Sequence, residues 1–125
     1  MNSLVNEWIR KAEEDYSVAK GLLRRKRLPV NAICFHCQQA VEKLLKALLQ
    51  KKRIHFGRVH DLEELRRLLG QAGALELLTD DLKLLSDYAV KYRYPGQNAT
   101  SRQARDAGKA MCRIRMTIRA LFKDG

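Results

Sequence analysis

The chain has 125 residues, 46% hydrophobic and 31% charged, a balance that supports a buried core and excludes a disordered polyelectrolyte. No apolar run reaches the roughly 18 residues a membrane span needs, and the opening Met-Asn-Ser-Leu-Val-Asn-Glu-Trp lacks the pattern of a signal peptide. Twenty-five Lys and Arg against 14 Asp and Glu give a formal charge of +11, which points toward phosphate-bearing or acidic partners.

Few Gly and Pro, with abundant Leu, Ala, Lys, Arg and Glu, favour helices, because unbranched side chains lose little rotamer freedom there. The first helix is predicted from Ser3 to Arg25, with Leu4, Trp8, Ala12, Tyr16, Ala19 and Leu23 as its apolar stripe. Leu28-Pro29 stops it, and a second helix runs from Val30 to Ile54. Its inward residues are Ile33, Cys37, Val41, Leu44, Leu45, Leu48 and Leu49, and Gly57 closes the segment. Asp61 opens a short third helix to about Leu69, with Glu64 placed to complete a capping box; Gly70 and Gly73 end it. The fourth starts near Thr79, with Asp80 and Asp81 at its positive end, continues through Leu82, Leu85 and Ala89, and ends before Pro95-Gly96. Thr100 and Gln103 form a second capping-box signature. The last helix carries Ala104, Ala107, Met111, Ile114, Ile118 and Leu121 inward. The short connections predict an all-α, up-and-down bundle of about five helices, with residues 1–125 as one domain.

The charge is uneven. Lys20, Arg24, Arg25, Lys26 and Arg27 form one acid-free cluster, and Lys51, Lys52, Arg53 and Arg58 with His55 and His60 form another. Arg93 and the last helix are also mainly basic, whereas the first nineteen residues are net acidic. Solubility explains scattered charge, but acid-free clusters favour a polyanion. Cys34, Cys37 and Cys112, an odd number inside predicted helices, read as buried thiols of a reducing cytoplasm. Cys34 and Cys37 share a helical face, yet no second Cys or His pair stands at zinc spacing, and the inward place of Cys37 argues against a nucleophile. Neither a metal site nor a cofactor is expected.

Two segments are unusual. On the second helix, His36, Gln38, Gln39, Glu42 and Lys43 interrupt the apolar pattern. Glu42 with Lys46 is an i,i+4 pair, and a solvated face accounts for most of this group. Gln39 and Lys43, at the same spacing, alternatively offer amide and ammonium donors to a phosphate or base. Further on, Tyr88, Tyr92, Arg93 and Tyr94 precede Pro95. Rings beside a guanidinium suit a nucleobase with its phosphates. Tyr88 reads as a core residue. For Arg93 and Tyr94, ligand contact and simple bracing of the turn stand level, and Tyr92 is open to both readings.

These blocks together resemble the HEPN domains, a helical nucleotide-binding family. The likeness rests on Gln-Gln-Ala-Val-Glu-Lys-Leu-Leu-Lys-Ala-Leu at 38–48, on His60-Asp61-Leu62 with Leu65, and on Tyr92-Arg93-Tyr94-Pro95-Gly96, with Trp8, Ala12 and Asp15 before them. The resemblance implies a four-helix core plus a short helix, commonly dimeric. It further implies partnership with a minimal nucleotidyltransferase or, in other branches, metal-independent RNA cleavage by Arg, four to six residues, then His. Here the positions where that His would follow Arg93 are Asn98, Ala99 and Thr100, and the spacing from Arg53 to His60 crosses a loop.

The leading expectation is a cytoplasmic, non-catalytic, homodimeric module that binds nucleotide or nucleic-acid phosphate. It would accompany a nucleotidyltransferase in a toxin–antitoxin-like pair. Its ligand-binding candidates are Arg93, Tyr94, Tyr92, His36, Gln39 and Lys43, with Lys51, Lys52 and Arg53 for long-range attraction. A ribonuclease using His60 or His36 as base beside Arg53 or Arg93, and a purely structural dimerisation or docking partner, are the alternatives. The site is expected to be an open, cationic recess beside Arg93.

Overall fold

The computed structural model describes residues 2–70 and 73–123. Five α-helices appear: α1 (Ser3–Leu23), α2 (Val30–Lys51), α3 (Leu62–Leu68), α4 (Thr79–Lys91) and α5 (Ser101–Lys123), with a 3-10 helix at Gly73–Leu78. Among the described residues there is no strand. The central helix is α2, which packs against all four others. Its buried residues include every apolar position expected to face inward.

Most boundaries follow local chemistry. Asn2 caps α1 by accepting from the Val5 amide at 2.9 Å. Asp61 caps α3 by accepting from the Glu63 amide at 3.0 Å. Glu64 does not complete the expected box; it pairs with Arg67 instead, one turn on. The box at α5 does form: the Gln103 amide donates to Thr100 Oγ1 at 3.0 Å, and the Thr100 amide donates to Gln103 Oε1 at 2.9 Å.

The structure differs from the sequence reading in four further places. The C-terminal ends of α1, α2 and α4 come two to four residues earlier than the polar and proline signals indicated. The segment Gly73–Leu78, read as a break between helices, winds into a 3-10 turn because Leu75 reaches the core. In α1, Val5 is buried and Leu4 is 56% exposed, so the stripe begins one residue later than expected. Gln38, Glu42 and Lys46 are buried, each 5% exposed or less, where a solvated face was anticipated.

The end of α2 carries the one left-handed non-glycine residue among those described, Arg53 at φ 59°. The Ile54 amide donates to the Leu49 carbonyl at 2.9 Å and the Arg53 amide to that of Gln50 at 3.1 Å, a Schellman closure that normally employs glycine. The left-handed conformation crowds a Cβ. Arg53→Gly is therefore expected to raise stability by about 1 kcal/mol in urea titration.

Candidate functional site

A cleft of about 580 Å³ opens between α2, the entry to α3, and α4. Gln38, Gln39 and Glu42 rise from α2, His60, Asp61 and Glu63 from the α3 entry, and Asp87, Val90 and Arg93 from α4 and the turn after it. One helical turn separates Gln38 from Glu42 and Glu42 from Lys46, so the three form a polar file along α2.

Glu42 is the hub of this file. Its carboxylate accepts from Gln38 Nε2 at 3.0 Å, from Lys46 Nζ at 3.0 Å and from His60 Nδ1 at 3.0 Å. Gln38 also donates to the His60 carbonyl at 3.3 Å and accepts from Gln39 Nε2 at 2.8 Å. Lys46 has only 6% of its side chain exposed, and its ammonium lies 5.5 Å from the Trp8 ring and 5.8 Å from that of Phe56. Ring faces and one carboxylate thus replace its hydration shell. His60, by contrast, has 73% of its side chain exposed in the cleft. A carboxylate at Nδ1 favours the tautomer that holds its proton there and leaves Nε2 as an acceptor.

Arg93 stands at the cleft mouth, exposed, and among the described residues its guanidinium forms no ion pair or hydrogen bond. It also borders a smaller hollow of about 130 Å³ with Phe35, Tyr88 and Tyr92. The Tyr92 hydroxyl donates to Gln103 Oε1 at 2.9 Å, which ties this ring to the α5 cap. Tyr94 is 63% exposed and lines neither hollow. The recess is not cationic as anticipated: Asp61, Glu63 and Asp87 share it with Arg93, and Lys46 already balances Glu42.

The remaining candidates lie elsewhere. Asp15 of α1 accepts from His36 Nδ1 at 2.9 Å and from Lys43, so these two serve the α1–α2 contact, while Gln39 between them reaches the cleft. Lys51 donates to the Phe122 carbonyl at 3.0 Å. Lys52 and Arg53 are exposed at that same end of α2, roughly 30 Å from its start by helical rise. Arg53 and His60 line different hollows.

The asparagine and threonine that follow Arg93 have structural duties. Asn98 accepts from Asn31 Nδ2 at 2.9 Å, the Ala99 amide donates to Asn31 Oδ1 at 2.9 Å, and Thr100 caps α5. Two of the three thiols are inert: burial pushes Cys34 up to about 11 and Cys37 up to about 12, and both are fully covered, whereas Cys112, expected to be buried, is only half-buried. Among the described residues, no His, Cys, Asp and Glu cluster has metal-holding geometry, and no helix is long and apolar enough to cross a membrane.

The family model for the HEPN domain matches residues 5–121. The chain belongs to the HEPN domain family. Two solved structures share its fold. TT1696 from Thermus thermophilus is 23% identical with a TM-score of 0.74, covering 93% of this chain and 96% of that one. ST0689, an archaeal HEPN homologue, is 26% identical with a TM-score of 0.69, covering 94% and 96%. Among curated proteins, none matches the sequence.

Sequence reasoning named Arg93 and Gln39 but passed over the His60–Glu42 pair of this HEPN cleft. The available signal was the register of α2, which sets Glu42 beside Val41 and Leu45, both fully buried. Removing the hub strands a buried ammonium. Glu42→Ala is expected to lower stability by about 3–5 kcal/mol, read from the denaturant midpoint.

Proposed function

We propose that this HEPN domain binds a nucleotide in the α2–α3–α4 cleft and is itself non-catalytic. The observation that carries this reading is the exposed Arg93 guanidinium, without a partner among the described residues, at the mouth of a cleft of ligand size. Arg93 receives a phosphate bidentately. Gln39, Asp87 and Glu63 meet the amino and hydroxyl groups of base and ribose, and their carboxylates disfavour a long polyanion inside the cleft. The adjoining hollow, walled by Phe35 and Tyr92, offers an aromatic surface beside the same guanidinium.

In this reading the domain works as the companion of a minimal nucleotidyltransferase, in a toxin–antitoxin-like pair in the cytoplasm. Exposed Phe35, Val90 and Tyr94 supply an apolar surface near the cleft for a homodimer or that partner. Arg93→Ala is expected to weaken binding of a non-hydrolysable ATP analogue about tenfold by calorimetry, with helicity unchanged by circular dichroism. Equal affinity in the variant sinks the site, and no affinity in either protein favours a purely structural docking partner.

One observation favours a second reading, ribonuclease activity. His60, oriented by Glu42, and Arg93 line one cleft, where the imidazole serves as base and the guanidinium stabilises phosphorane charge. Labelled RNA incubated with the protein in EDTA separates the readings. Intact RNA is expected, whereas cleavage that disappears in His60→Ala would make the domain an enzyme.

A further inference from the structure

Helices α1 and α5 run side by side in opposite directions with a readable register. The Arg115 guanidinium lies 4.0 Å from the Tyr16 ring, Lys20 Nζ lies 3.9 Å from Cys112 Sγ, and Leu23 abuts Gly108, where a Cβ would come within 2.6 Å of Leu23 Cδ1. The seven-residue step from Tyr16 to Leu23 along α1 is matched by the seven-residue step from Arg115 back to Gly108 along α5. Continued past Leu23, this register brings the Arg24–Arg27 turn level with the first turns of α5, which carry Arg102 and Arg105. On the neighbouring side, Asn31 in the first turn of α2 clasps Asn98 and Ala99 in the connection that leads into α5.

The fold thus gathers Arg24, Arg25, Lys26, Arg27, Arg102 and Arg105 at one end of the bundle. All six are exposed, and among the described residues none takes part in an ion pair. Asp106, which follows Arg105 in sequence, forms no ion pair with any of the six, and its charge adds to the raised pKa of Tyr88 and Arg113. Among the described residues, no ion pair explains this placement. Arg102 and Arg105 occupy the start of α5, the positive end of a helix whose first turn holds no acid. The bases at the opposite end are different, since Lys51 engages the last turn of α5, where cations are favoured.

We propose that this end of the bundle, none of whose six bases lines the cleft or its adjoining hollow, is a second binding surface that holds the phosphodiester backbone of a nucleic acid. Phosphates offset the mutual repulsion of the six cations, and the predominance of arginine suits their oxygens, which the planar fork meets two at a time. An acidic protein or a membrane is a poorer match. Leu28 and Val30, the apolar side chains of this turn, are half-buried, so the surface lacks the apolar centre those partners require.

The test is fluorescence anisotropy of a labelled oligouridylate and of a duplex of equal length, over a salt series. At least one is expected to bind, and the triple variant Arg24→Gln, Arg25→Gln, Arg27→Gln is expected to lose affinity about tenfold or more. Its log–log salt slope should fall by about two units for a single strand, the counterion release of three phosphate contacts. A variant of equal charge loss at the other end, Lys52→Gln, Arg58→Gln, Lys123→Gln, should change affinity less than about threefold, because distant exposed charges are screened. ATP-analogue titration of the first variant should match that of the unaltered protein. Equal losses in the two triple variants, binding of neither oligonucleotide, competition by polyglutamate as effective as by unlabelled oligonucleotide, or a parallel loss of ATP-analogue affinity would each overturn the proposal.

Discussion

The carboxylate of Glu42 is the constraint on which the rest of the site depends. It lies in the most buried helix of the bundle with 6% of its side chain exposed, and its three donors come from two directions. Gln38 and Lys46 fix its rotamer along α2, and His60 ties it to the entry of α3. A charge in such surroundings persists only when its lone pairs are satisfied. The loop that ends in His60 must therefore close over α2, and that closure makes one wall of the cleft. The polar file is also why an imidazole stands exposed in a defined orientation, with the apolar core immediately beneath it.

Charge is distributed by the same logic throughout the molecule. Ion pairs join helices, Glu13 to Arg115 and Arg119, Asp15 to Lys43, and Asp81 to Arg113, and His36 adds a hydrogen bond to Asp15. Hydrogen bonding to Glu13 and Asp81 raises the pKa of Arg115 and Arg113, so these guanidiniums are committed to the fold. Many of the remaining bases lie near the two ends. A chain of high net charge thus combines inter-helix ion pairs, a cleft of mixed charge and a basic end at Arg24–Arg27. Net charge alone would have located none of these, since it carries no information about pairing.

The helices were legible because their stripes follow a single period, and α3 and α5 also start on the side-chain caps Asp61 and Thr100. The 3-10 turn at Gly73–Leu78 was not, because glycines signal a break and only tertiary contact draws Leu75 inward. At the site, Arg93 was readable from its aromatic neighbours. The Glu42–Lys46 spacing was readable too, but i,i+4 pairs decorate exposed and buried helices alike. Sequence spacing within α2 could not reveal that α3 and the aromatic pair Trp8–Phe56 cover it. Likewise His36 and Lys43 looked available until Asp15, more than twenty residues earlier, was seen between them.

Gln103 has a double attachment whose effect reaches beyond its own helix. A single side-chain oxygen receives both the amide that opens α5 and the hydroxyl of Tyr92, a ring that walls the hollow beside Arg93. Helix initiation and the placement of an aromatic wall are in principle separate local matters. In this bundle they are yoked through one atom, so a relative that replaces the glutamine must re-engineer both at once.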